Sequence, residues 1–177
     1  MHHVITVFGS AQGKPGDAGY EEAEHLGSAL ARAGFTVCNG GYGGTMEGSA
    51  KGARTQGGTT IGVTISALPG EPNHWISKAI PMPSLIERLQ KLVDLGDGYV
   101  VLRGGTGTLL EFALVWELLG KQMMPSKPIV CLGEFWNPLV TMMKEQLRSE
   151  RRFAATEAVA VAASAEECVK SLTEALR

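Results

Sequence analysis

Three turns built from glycine and small residues stand out: Gly9-Ser10, Asn39-Gly40-Gly41-Tyr42-Gly43-Gly44 and Arg103-Gly104-Gly105-Thr106-Gly107-Thr108. Glycine lets a backbone approach a ligand closely and adopt positive φ. A turn that opens a helix leaves unpaired N–H groups aimed at any anion in front of it, aided by the helix dipole. The turn at 104–108 adds two threonine hydroxyls as donors, and its four small residues in five exceed what a tight turn requires. The run Gly40–Gly44 is less specific, since it also suits close helix–strand contact. Ser10 reads equally as an anion donor or a loop cap.

Other nucleotide motifs fail on spacing. The first turn lacks G-x-G-x-x-G, which disfavours a standard dinucleotide site. Gly9 to Lys14 has the outline of a mononucleotide phosphate loop. It is one residue short, however, and Pro15 stands where a magnesium-binding Ser or Thr is needed. The dispersed histidines, the pair His2-His3 included, and the isolated cysteines give no metal-ligand spacing, so no metal and no cofactor is expected.

The elements that must position these turns alternate strand and helix. Apolar runs predict strands at Val4–Phe8, Phe35–Cys38, Thr59–Ile65, Tyr99–Leu102 and Ile129–Leu132, with weaker ones at Trp75–Ile80 and Ala158–Ala162. Helical spacing predicts helices over Tyr20–Ala33, Thr45–Arg54, Pro83–Leu95, from Thr108 to about Leu119, Asn137–Leu147 and Ala165–Leu176. Residues 66–74, with Pro69, Gly70 and Pro72, read as loop. Continuous apolar strands imply a parallel sheet covered on both faces. The expected fold is therefore a single-domain, Rossmann-like, doubly wound α/β protein over residues 1–177, with ligands at the carboxyl ends of its strands.

Bulk properties narrow the function. A chain of 177 residues, 44% hydrophobic and 19% charged, supports one sizeable core. A net charge of −2, with no basic run, argues against nucleic acid as a partner. No apolar run approaches the roughly 20 residues that span a bilayer. Three widely spaced cysteines and no evident signal segment make a reduced, cytoplasmic setting the expectation.

The segment Arg88…Arg103-Gly104-Gly105-Thr106-Gly107-Thr108-Leu109-Leu110-Glu111 resembles the signature of the LOG family, P-G-G-x-G-T-x-x-E preceded by an Arg-Lys pair on a helix. The likeness extends to Phe8-Gly9-Ser10 and to Gly40–Glu47, and covers roughly residues 4–145. Better-studied members are cytokinin riboside 5′-monophosphate phosphoribohydrolases. The resemblance implies hydrolysis of the N-glycosidic bond of an AMP-like nucleoside 5′-monophosphate, releasing free base and ribose 5-phosphate. It implies Arg88 and Glu111 as catalytic residues. It also implies phosphate binding by Ser10, Gly104, Gly105, Thr106, Gly107 and Thr108, with Gly40, Gly41 and Gly43 flanking the ligand and Glu47 at the ribose or base. A homodimer is implied too, and the helix Leu109–Leu119, apolar on more than one side, is compatible with one.

Three positions depart from the family pattern. Its proline is Arg103, an additional cation beside the loop; the residue before Glu111, often a second Glu, is Leu110; and its lysine after the arginine is Leu89. Arg103 and Leu110 give weight to an alternative of a different class, a non-catalytic carrier of a nucleotide or of a pterin-type molybdenum cofactor. The older lysine decarboxylase label for the family finds no pyridoxal-binding lysine arrangement here.

Overall fold

The computed structural model describes residues 3–67 and 70–177. His2 and Pro69, read above as part of a short histidine pair and as a loop residue, lie outside the described residues. In chain order the elements are β1 (Val4–Phe8), α1 (Ala18–Arg32), β2 (Thr36–Asn39), α2 (Thr45–Thr55), β3 (Thr60–Ile65), β4 (Lys78–Met82) and α3 (Leu85–Leu95). There follow β5 (Gly98–Val101), α4 (Thr106–Gly120), β6 (Ile129–Leu132), α5 (Asn137–Ser149), α6 (Phe153–Glu157), β7 (Val159–Ala162) and α7 (Ala165–Ala175).

The strands form one seven-stranded sheet in the order β4-β3-β2-β1-β5-β6-β7. Every pairing is parallel. Alternation along the strands sends side chains to two cores. Ile5, Val7, Val37, Val100 and Leu102 pack under α1 and α7 with Leu26, Leu30 and Leu172. Phe8, Cys38, Val63, Tyr99 and Val101 pack under α3, α4 and α5 with Leu92, Phe112, Trp116 and Val140. Helices therefore cover both faces, which is why the central strands carry no exposed polar stripe. The chain runs outward from β1 to β4, then returns to place β5 on the other side of β1. The carboxyl ends of β1 and β5 flank this topological switch point, where such sheets open a crevice.

Most boundaries agree with the sequence reading within one or two residues, and two regions differ. The fourth strand occupies Lys78–Met82 instead of Trp75–Ile80. The Thr60 hydroxyl donates to the Trp75 carbonyl (2.6 Å) and Ser77 Oγ accepts from Thr60 N–H (2.9 Å), which holds residues 75–77 in a turn before the strand starts. As an edge strand β4 is mostly exposed and tolerates Pro81, so it lacks the buried apolar signature. The short helix α6 was not anticipated. Its sequence Phe-Ala-Ala-Thr-Glu carries no period, and it is held from outside by Trp116 Nε1–H donating to the Ala155 carbonyl (2.7 Å) and by Arg152 paired with Glu117 (2.9 Å).

Helices α1 and α2 meet backbone to backbone through glycine. A Cβ on Gly27 would overlap the Ser49 carbonyl, and one on Gly52 would overlap the Glu24 carbonyl. Alanine gains about 1 kcal/mol of helix propensity over glycine. Forcing a methyl against an unyielding backbone costs about 1–3 kcal/mol or more. The clash wins because neither carbonyl can rotate away. Gly52→Ala is therefore expected to destabilise the protein by about 1–2 kcal/mol. Chemical denaturation would read this as a lower midpoint at unchanged slope, and a stabilised variant would show that the helices separate freely.

Candidate functional site at the switch point

A cleft of about 370 Å³ opens at the carboxyl ends of β1 and β5. Its polar side is formed by Gly9 and Ser10 after β1 and by Gly105, Thr106, Gly107 and Thr108 at the start of α4, with Arg88 and Glu111 behind them. Its apolar side is Ala11, Tyr42, Met46, Ile65 and Leu85. A larger hollow of about 580 Å³ lies at the amino end of β6, where its lysine, Lys127, is committed to the Gly96 carbonyl (2.6 Å).

The α4 terminus is made as the sequence suggests. Gly105 is the N-cap residue, without a side-chain cap. The first hydrogen bond of the helix runs from Leu109 N–H to the Gly105 carbonyl (3.0 Å). The N–H groups of Thr106, Gly107 and Thr108 precede it and have no intrahelical acceptor. Added Cβ atoms at Gly105 and Gly107 would meet nothing within 4 Å, so internal packing does not demand glycine at either position. Gly104 differs. A Cβ there would overlap the buried Thr108 side chain, so this glycine seats the threonine instead of lining the cleft. Ser10 Oγ accepts from Gln12 N–H (3.0 Å), which leaves its own proton to donate. The Ser10 carbonyl accepts from Thr45 N–H (2.9 Å) and ties the first loop to the start of α2.

Arg88 and Glu111 are 8% and 9% exposed, and the distance from Arg88 Nη1 to Glu111 Oε1 is 3.4 Å. Arg88 comes from the first turns of α3, which Ser84 caps by accepting from Glu87 N–H. Its Nε–H donates to the Val63 carbonyl at 2.7 Å. Glu111 stands on α4, one turn past Thr108. Burial pushes its carboxyl up to about 7, against the partial relief offered by Arg88. A carboxyl balanced near neutrality, beside a fixed cation, suits proton transfer or stabilisation of a developing positive charge.

The remaining sequence-predicted residues stand off the cleft wall. Gly40 and Gly41 lie behind it: a Cβ on Gly40 would overlap the Arg88 guanidinium, and Gly41 has φ +79° with its N–H donating to Asn39 Oδ1 (2.8 Å). Gly43 is near the Ala11 carbonyl (3.7 Å from an added Cβ). Glu47 faces Tyr20 on α1, whose hydroxyl is pushed up to about 12 by burial and then by Glu47 and Glu24. Arg103 extends the other way, its guanidinium 5.0 Å from the Phe135 ring centroid. Leu110 is an exposed residue of α4 (45%) and Leu89 is a core residue (4%). None of the three departures from the family signature lines the cleft. Tyr42, Met46, Ile65 and Leu85 were not foreseen as cleft residues. Only Tyr42, a large aromatic set among glycines, carried a signal. The three cysteines are free and buried, and burial raises each thiol to about 12, which removes them as nucleophiles. Among the described residues no His, Cys, Asp and Glu group has metal-binding geometry.

Fold and cleft together define a Rossmann-like α/β protein with a helix terminus and a buried Arg–carboxyl pair at its switch point. The chain belongs to the SLOG cluster4 family, whose model matches residues 2–169, and the LOG resemblance holds. It is 32% identical over 148 residues to the cytokinin riboside 5′-monophosphate phosphoribohydrolase of Rhodococcoides fascians, covering 79% of this chain and 73% of that protein. It is 31% identical over 130 residues to the pyrimidine/purine nucleotide 5′-monophosphate nucleosidase of Escherichia coli K12, covering 64% of this chain and 28% of that protein. Among solved structures, the molybdenum cofactor carrier protein of Chlamydomonas reinhardtii superposes with TM-score 0.77 at 25% identity, covering 99% of each chain. The molybdenum cofactor binding protein of Rippkaea orientalis shares the fold, with TM-score 0.78 at 24% identity over 100% of this chain and 99% of that one.

The raised Glu111 carboxyl has a consequence for stability. Between the ordinary carboxylate value of 4.5 and about 7 the folded state holds a proton that the unfolded chain has lost. Stability therefore falls as pH rises through that window and levels off above it, by a total on the order of 3 kcal/mol. Glu111→Gln removes the titration. Wild type and variant should have similar stability at pH 4.5, and the variant should be the more stable at pH 8. Parallel stability–pH curves for the two proteins would show that Glu111 titrates normally.

Proposed function

We propose that the protein hydrolyses the N-glycosidic bond of nucleoside 5′-monophosphates. The observation that carries the proposal is that the buried Arg88–Glu111 pair opens onto the same cleft as the free N–H groups of α4. The names of the relatives from Rhodococcoides fascians and Escherichia coli support it. So does the position of Arg103, Leu110 and Leu89 away from the cleft wall.

In this reading the 5′-phosphate sits at the α4 terminus, accepting from Thr106, Gly107 and Thr108 N–H and from the Ser10 hydroxyl. The base lies along the apolar side formed by Tyr42, Met46, Ile65 and Leu85. The bond from C1′ to the base nitrogen breaks with its electron pair leaving on the base. The ribosyl centre becomes oxocarbenium-like, as in O-glycoside hydrolysis. Ionised Glu111 stabilises that charge and takes a proton from the attacking water, whose oxygen bonds to C1′. The proton that Glu111 took from water ends on the departing base by way of solvent, which returns the carboxylate, and ribose 5-phosphate and free base result. Arg88 supplies fixed positive charge for phosphate and leaving group.

Chromatography of a panel of nucleoside 5′-monophosphates incubated with the protein tests this directly. Free base is expected from at least one of them. Glu111→Gln should lower the rate by about a hundredfold or more while nucleotide affinity is retained. Base release undiminished in the variant would remove Glu111 from the mechanism. Binding without release from any nucleotide would favour the second reading, a carrier, for which the Chlamydomonas structure is the supporting likeness.

We further propose a homodimer with the outer side of α4 at the interface. That helix buries Phe112, Val115 and Trp116 in the core, yet leaves Leu110 exposed. Sedimentation at micromolar concentration should show the dimer mass, and Leu110→Glu should shift it to monomer. A wild-type monomer would end this proposal.

A further inference from the structure

We infer that the turn Gly40–Tyr42 and the end of β3 form a preformed seat for a guanidinium group, and that Tyr42 is the positioning residue that closes it over Arg88. Four contacts define the seat. The Val63 carbonyl accepts Arg88 Nε–H at 2.7 Å. Gly40 leaves a notch that Arg88 Nη2 fills, since a Cβ there would overlap it. The Glu111 carboxyl lies 3.4 Å from Nη1. The Tyr42 ring lies with its centroid 6.0 Å from Arg88 Cζ.

The seat is held independently of the arginine. Tyr42 Oη accepts from Ile65 N–H at 2.9 Å, which fixes the ring against β3. Asn73 Nδ2 donates to the Gly41 carbonyl (3.1 Å) and the Tyr42 carbonyl (2.8 Å). Fully buried Asn39 accepts from Gly41 N–H and donates to the Met46 carbonyl (2.9 Å). A turn tied on both sides keeps its shape when the side chain it receives is gone. In this account Gly40 and Tyr42 act through Arg88. The catalytic consequence rests on the hydrolase reading above, whereas the seat itself does not.

Arg88→Ala empties the seat, and guanidinium chloride at low millimolar concentration is the probe. At pH 8, calorimetric titration of Arg88→Ala with guanidinium should give a saturable binding isotherm, and titration with urea or with potassium chloride at equal ionic strength should give none. Adding Tyr42→Leu should raise the half-saturating concentration roughly tenfold, as expected for loss of a partly desolvated cation–π contact. Tyr42→Phe keeps the ring face but loses the tie to Ile65 N–H, so its half-saturating concentration should fall between those of the Tyr42 and Tyr42→Leu backgrounds. The same ion should restore base release to Arg88→Ala. If the wild type releases no base, that arm falls with the hydrolase reading while the binding titration still decides the seat. No saturable response in Arg88→Ala, or equal half-saturation with and without Tyr42→Leu, overturns the inference. Should Arg88→Ala fail to fold, hydrogen exchange of the Arg88 Nε–H in the otherwise unaltered protein replaces it. Tyr42→Leu should accelerate that exchange, and an unchanged rate overturns the inference.

Discussion

The organising constraint in this protein is a guanidinium and a carboxyl buried side by side at the one place where the sheet reverses its strand order. Buried charge is tolerated only when it is paired and hydrogen-bonded. Here Arg88 meets that condition with the Val63 carbonyl and Glu111, drawing on β3 and α4 from an anchor in α3. Three elements distant in sequence must therefore arrive together, and their packing under β1, β2 and β5 brings them there. Desolvation outweighs the pairing at Glu111, which leaves its carboxyl near neutrality instead of fully ionised. The same burial that costs stability produces the chemical character of the site.

The glycines divide by physical role. Gly27 and Gly52 let α1 and α2 touch backbone to backbone, far from the cleft. Gly40 yields space to Arg88, and Gly104 yields space to Thr108. Within the turns at 40–44 and 104–108, Gly105 and Gly107 are the two where an added Cβ would meet nothing. A run of glycine thus serves one site by several different means, and most of them act on neighbouring side chains.

The departures from the family signature gain meaning from where they sit. Arg103 sits over the Phe135 ring and does not line the cleft. Leu110 is exposed on α4, and Leu89 completes the core. Each changes a surface or a packing contact while the cleft wall keeps its complement of hydroxyls, N–H groups and charged pair.

Much of this was legible in the chain itself. Continuous apolar strands alternating with periodic helices determined the parallel, two-faced sheet. The turn at 104–108 determined where α4 begins, because both signals are local in sequence. Arg88 and Glu111 were legible through their family spacing. The start of β4 was hidden by its exposure at the sheet edge, and α6 by its reliance on contacts from Trp116 and Glu117. Tertiary structure alone decided that Gly40 receives Arg88, that Arg103 and Glu47 stand off the cleft, and that Tyr42, Met46, Ile65 and Leu85 form its apolar side. Those assignments depend on which strands become neighbours, and strand order is set by packing over the whole sheet, which no local run of residues encodes.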